Sequence, residues 1–157
     1  MLKLVGVCLL LTGGSGLSLL LTREIKQELD TWVAVGDFLR YIRMHIDCFC
    51  TPKEEIFASF EHPLLEENGF LPALRQMGDV GLATEKSIKE EPLAALLYRF
   101  GKELGQGYRE EQLAVCDFYL AALATQIEKR QRAFPQKVRV RRTVCLAGAM
   151  LVALLLL

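Results

Sequence analysis

Between Lys3 and Arg23 the chain carries no charged side chain, and none occurs in Thr143–Leu157. The first stretch has 19 residues; as a helix it reaches about 28 Å, close to the hydrocarbon thickness of a bilayer. We read residues 1–22 as an N-terminal transmembrane helix. Thr12-Gly13-Gly14-Ser15-Gly16 interrupts its leucines, and small residues in a membrane helix mark close helix packing. A cleaved leader fits less well. Its positive region would be Lys3 alone, and the apolar run resumes after the small residues with Leu17, Leu19, Leu20 and Leu21. Thr143–Leu157 is shorter, about 22 Å of helix. Arg141 and Arg142 beside it can snorkel to the interface. We read residues 143–157 as a C-terminal transmembrane segment or anchor.

Charge then assigns sidedness. Arg23 and Lys26 follow the first apolar stretch. Lys129, Arg130, Arg132, Lys137, Arg139, Arg141 and Arg142 precede the second, with no acid among them. Both clusters border the middle of the chain, so the positive-inside bias places residues 23–134 in the cytosol, with 135–142 as a basic juxtamembrane stretch. The expected location is the cell membrane. The middle has roughly 120 residues, enough for one compact core and too few for two. The chain has 19 basic and 19 acidic residues, a formal net charge of zero, which excludes a general nucleic-acid binder. Its five cysteines form no recognisable disulfide framework and point to a reducing compartment.

The middle reads as all-α. Ile25, Leu29, Trp32, Leu39, Ile42, Ile46 and Phe49 recur at helical spacing, with Gly36 on the same stripe where it permits a close crossing. Thr51-Pro52-Lys53-Glu54 predicts a capped helix start, with Thr51 capping and Glu54 completing a capping box. That helix runs to about Phe60 and ends at His62-Pro63. Asn68-Gly69, Pro72 and Gly78 break residues 64–81 into short helices. Helices over Thr84–Glu91 and Leu93–Leu104 follow, bent or separated at Pro92, and Gly105 and Gly107 supply the stop. Tyr108–Phe134 is a second long helix, with Leu113, Cys116, Leu120, Leu123 and Ile127 on one face and a kink expected at Pro135. The two long helices are expected to pack antiparallel in a bundle.

Chemistry-bearing constellations are sparse. His45, Cys48, Cys50 and His62 are the only metal candidates, and they meet no standard zinc spacing. There is no phosphate loop, dinucleotide fingerprint or G-x-S-x-G, and no nucleophile–base pair is visible. Glu54-Glu55, Glu66-Glu67 and Glu90-Glu91 read as solvated helix faces. The expectation is a protein with no catalytic residues, metal, cofactor or small-molecule substrate. The competing reading is a membrane-anchored regulatory or metal-binding helical protein that uses the His/Cys set.

One segment stands apart. In Phe100-Gly101-Lys102-Glu103-Leu104-Gly105-Gln106, Gly101 weakens a helix by about 1 kcal/mol relative to Ala. A glycine there indicates close approach of another helix or of a partner. Arg109, Glu110, Glu111 and Gln112 then open the next helix, with Glu110 placed to complement its dipole.

The opening Met1-Leu2-Lys3-Leu4-Val5-Gly6, the F-G-K-E-L-G-Q run and Arg109-Glu110-Glu111-Gln112 together resemble the stage III sporulation protein AB family of endospore-forming bacteria. The resemblance extends over nearly the whole chain and is strongest from about Leu93 onward. One departure is visible: the family commonly has an acid where Tyr108 stands. The Cys48–Cys50 pair also looks particular to this sequence.

The resemblance implies a non-enzymatic membrane component of the secretion-like channel complex between mother cell and forespore. Its helical domain would face the mother-cell cytosol and be similar to the cytoplasmic domains of type II secretion platform proteins. It would act as a scaffold for a cytosolic ATPase and other components of the complex. Phe100, Gly101, Leu104, Gly105, Arg109 and Gln112 are the expected partner-interaction residues.

Overall fold

The computed structural model describes the backbone of residues 2–49 and 51–156. It describes the side chains of residues 23, 25–49, 51–140, 143, 144, 147, 148 and 150. Among the described residues every regular element is helical. In chain order these are α1 (Leu2–Cys48), α2 (Lys53–Ser59), α3 (Pro63–Glu67), α4 (Phe70–Met77), α5 (Val80–Ser87), α6 (Glu91–Glu103) and α7 (Arg109–Leu156). The chain divides into two compact units. One is formed by Met1–Leu29 with Glu128–Leu157, the other by Asp30–Ile127.

The core of the second unit follows from helical spacing. Trp32, Val35, Phe38, Leu39 and Ile42 recur on α1 at intervals of three and four and are all buried. Phe57, Phe60 and Phe70 close on Phe38 with ring centroids 5.2–6.2 Å apart, in the tilted and edge-on arrangements that aromatic rings favour. Leu93, Leu97 and Phe100 supply the buried face of α6, and Cys116, Tyr119 and Leu123 that of α7. Contacts between the long helices run in opposite directions. Gly36 lies against Ile127, Arg43 pairs with Asp117, and Asp47 pairs with Arg109. Rising numbers on α1 thus meet falling numbers on α7, the antiparallel packing expected of a bundle. An added Cβ at Gly36 would sit 3.8 Å from Ile127 Cδ1, ordinary contact, so the crossing tolerates glycine without requiring it.

Several local expectations are corrected. Thr51 does not cap α2: Pro52 occupies that position and no side chain bonds there. The Thr51 hydroxyl lies 3.2 Å from His45 Nδ1 instead. A tertiary partner has outcompeted the local one. The helix expected over Thr84–Glu91 begins earlier and ends earlier. Asp79 caps it by accepting from the Leu82 amide at 2.9 Å, and Ile88 is already extended. The two helices are separate as expected, and Pro92 falls in the first turn of α6, one residue after Glu91, where its missing N–H is not needed. Phe49 closes the apolar stripe in sequence but is 65% exposed, since α1 ends at Cys48 and periodicity stops with the helix. Pro135 lies inside α7, which continues to Leu156.

The first unit is described by fewer side chains. Ile25 is buried, and Ile25, Leu29 and Phe134 line a small crevice with Glu28, Arg130 and Lys137. The Arg130 guanidinium lies 3.7 Å from the Glu28 carboxylate. Among the described residues no helix is long and apolar enough to cross a membrane. Most of the side chains in the expected spans, 1–22 and 143–157, lie outside the described residues.

Candidate interaction site

The F-G-K-E-L-G-Q segment straddles the end of α6. Its first half is internal. Phe100 is fully buried and meets Tyr119 edge-on at 5.5 Å. At Gly101 an added Cβ would lie 2.7 Å from the Gly81 backbone nitrogen and 3.0 Å from Val80 Cβ. Only glycine lets the start of α5 approach α6 this closely. The sequence signal at Gly101 is therefore answered by a helix of the same chain.

The second half is the turn between α6 and α7. The Leu104 amide bonds the Phe100 carbonyl at 2.8 Å, and Gln106 Nε2 bonds the Lys102 carbonyl at 2.7 Å, satisfying acceptors that the helix end leaves open. Gly105 and Gly107 then adopt φ of +85° and +95°, the left-handed region that favours glycine. Helix α7 opens with half of a capping box. The Glu111 carboxylate reaches back to accept from the Tyr108 amide at 3.1 Å. Tyr108 has no short acceptor to complete the box and is 84% exposed.

Arg109 fastens this turn to the end of α1. Its guanidinium donates to the Asp47 carbonyl at 2.6 Å, to the Asp47 carboxylate at 2.5 Å and to the Ile46 carbonyl at 3.3 Å. A cation on the terminal carbonyls of a helix complements both open acceptors and the dipole. Asp47 also faces Arg43 at 3.6 Å, and Arg43 grips Asp117 with two bonds of 2.5 and 3.2 Å. The chain Asp117–Arg43–Asp47–Arg109 thus alternates in sign along the α1–α7 seam. The hydrogen bond from Arg43 holds the Asp117 carboxyl below its usual range, and Asp117 raises Arg43 in turn.

Behind the turn is an open groove of about 220 Å³. Ile42, Ile46, Ile56 and Phe57 form its apolar wall. Thr51, Lys53, Leu104, Gly105 and Gln112 contribute the rest. Three of the six expected partner residues, Leu104, Gly105 and Gln112, therefore meet on one surface, with Arg109 bracing the same turn. Phe100 and Gly101 lie inside the packing and contribute to it by holding the turn in place. Sequence reading missed Arg43, Asp47 and Asp117. Each is one charge on a helix, and its partner is up to 74 residues away.

The remaining polar candidates are dispersed. The His45 ring packs against Tyr41 in a tilted arrangement with 4.3 Å between ring centroids, and Cys48 is exposed. His62 lies beside Phe60, 6.5 Å between ring centroids, with its Nδ1 buried and unpartnered. Cys50 lies outside the described residues. Among the described residues no three His, Cys, Asp or Glu side chains are placed to hold a metal ion. Burial raises the Cys116 thiol to about 11. Burial and donation to Glu103 Oε1 at 2.9 Å raise the Tyr119 phenol to about 12. Both stay protonated and serve the core.

A family model described as stage III sporulation protein AB matches residues 80–157, the family that the sequence resembles. The match starts at the first residue of α5 and takes in α5, α6 and α7, including the Gly81–Gly101 crossing and the 104–108 turn. It is narrower than the resemblance suggested, for residues 1–79 lie outside it. No curated protein and no solved structure matches.

Proposed function

We propose that this sporulation protein is a membrane-anchored, non-enzymatic scaffold of the channel complex between mother cell and forespore. Its α6–α7 turn and the groove behind it receive the cytosolic ATPase of that complex. The observation that carries the reading is the coincidence of the family match with this surface. The matched stretch contains the crossing that fixes α6, the turn that α6 presents and the helix that follows. The rest of the groove comes from α1, from the segment after it and from α2, all outside the match. A groove with an apolar wall and a few polar groups at its rim suits an inserted apolar side chain from a partner. The tether at the bilayer and the likeness to secretion platform domains rest on the apolar ends and on the family resemblance.

The test is retention of the purified ATPase by the full chain in detergent. Gln112→Ala and Lys53→Glu alter the rim without touching the core, so the fold should survive by circular dichroism while retention drops about tenfold, the scale of one good interface contact. Absence of retention by the folded wild-type chain would sink the assignment.

A further inference from the structure

We propose that the stretch of α7 from Lys129 to Arg142 is a basic collar that selects anionic phospholipid headgroups around the helix. The inference rests on the membrane reading of residues 143–157 and adds a lipid class to it. Seven of these 14 residues are Lys or Arg, and none is acidic. Two have acidic partners within the same unit: Arg130 faces Glu28 at 3.7 Å, and Arg132 bonds Glu128 at 2.6 Å. Lys129, Lys137 and Arg139 are exposed, with no ion pair among the described residues.

Placement around the helix separates the candidate ligands. At roughly 100° per residue, positions 129, 130, 132, 137 and 139 fall within one half of the circumference of α7, and positions 141 and 142 carry the run onto the other half, so the seven basic positions form no single stripe. A nucleic-acid groove or an acidic protein face would be met by one side of a helix. Charge on all sides suits a medium that surrounds the helix, as a headgroup layer surrounds a helix entering a bilayer. The distances agree. Arg139 and Lys137 lie about 6 and 9 Å before Thr143 along the helix axis, and Arg132 and Lys129 about 16 and 21 Å. One headgroup layer is about 5–8 Å thick, and its field extends about a further 10 Å at ordinary salt. Arg139 and Lys137 therefore sit in or just above the layer, while Lys129 lies at the edge of its field.

The test uses the full chain reconstituted into phosphatidylcholine bilayers with spin-labelled phosphatidylglycerol or spin-labelled phosphatidylcholine as probe. The wild-type chain should associate with the anionic probe roughly fivefold more strongly than with the neutral one at low salt, the scale of one basic side chain at a charged surface. Molar salt should abolish the preference. Lys137→Gln, Arg139→Gln, Arg141→Gln and Arg142→Gln together should bring the ratio close to one, and Lys129→Gln with Arg132→Gln should reduce it less. Equal association of both probes with the wild-type chain overturns the collar while leaving the membrane reading intact. A chain that restricts neither probe overturns both. A preference that survives the fourfold substitution at Lys137, Arg139, Arg141 and Arg142, or tight binding of a DNA duplex in place of lipid selectivity, also overturns it.

Discussion

The two halves of F-G-K-E-L-G-Q have opposite physical roles although only three residues separate Gly101 from Gly105. Phe100 and Gly101 are enclosed, the first by Tyr119 and the second by the Gly81–Val80 backbone. Gly105 has nothing within 4 Å of the Cβ it lacks. Its glycine is required by a φ of +85°. One glycine is dictated by a neighbour and the other by the backbone. A motif that reads as a single signature is thus a packing device followed by a presented turn.

Substitutions can break that comparison, and the enclosed half should respond most. Phe100→Ala removes a ring from the core and should cost about 3–5 kcal/mol of unfolding free energy by urea titration. A cost below about 1 kcal/mol would mean that the ring is not enclosed. Gly101→Ala should cost about 3 kcal/mol, at the upper end for overpacking, because the obstructing atoms are backbone and cannot rotate away. Gly105→Ala should cost only about 1 kcal/mol, the strain of a left-handed non-glycine residue. If Gly105→Ala proved as costly as Gly101→Ala, the division of the motif would be wrong.

The same contrast has a constructive side. Tyr108 precedes α7 without a capping acceptor, and Glu111 already makes the reciprocal bond. Tyr108→Asp should therefore stabilise the chain by about 1 kcal/mol, read as a higher denaturation midpoint at unchanged slope. The smallest effect concerns the seam beside the turn. Asp117 is held below its unfolded pKa chiefly by its hydrogen bond from Arg43. Its contribution is complete above the ordinary carboxylate range and is lost as pH falls through the lowered folded value. Asp117 is exposed, so the loss should be slight, and Asp117→Asn should lower the neutral plateau of the stability profile a little and flatten its acid limb. A steeper acid limb in that variant would refute the pairing.

Legibility followed the range of the interactions. The breaks at Gly69 and Gly78, the ends of α2 and α6 and part of the buried stripe of α1 depend on neighbours within four residues, and spacing alone located them, whereas Pro72 falls in the first turn of α4 and breaks nothing, and the buried Val35 and Phe38 lie off the stripe as read. Thr51 was misread because its hydroxyl is drawn to His45 on the preceding helix. The start of α5 was missed because Asp79 lies inside a stretch that glycines and a proline mark as broken, so its capping role did not stand out. The Arg43–Asp117 and Arg109–Asp47 pairs leave no local trace. Gly101 was recognised as a site of close approach, while the identity of the approaching group, Gly81, was not.

The sequence by itself determined that this chain is helical, where its polar middle breaks into helices, and that its uncharged stretches are bordered by basic residues. Those properties come from periodicity, backbone stereochemistry and charge, each of which acts along the chain. Only the tertiary structure decided which half of the glycine motif is enclosed and which charges pair across the α1–α7 seam. It also decided that Leu104, Gly105 and Gln112 share a groove with α1 and α2. Such contacts join residues distant in the chain, and their geometry exists only once the helices have packed.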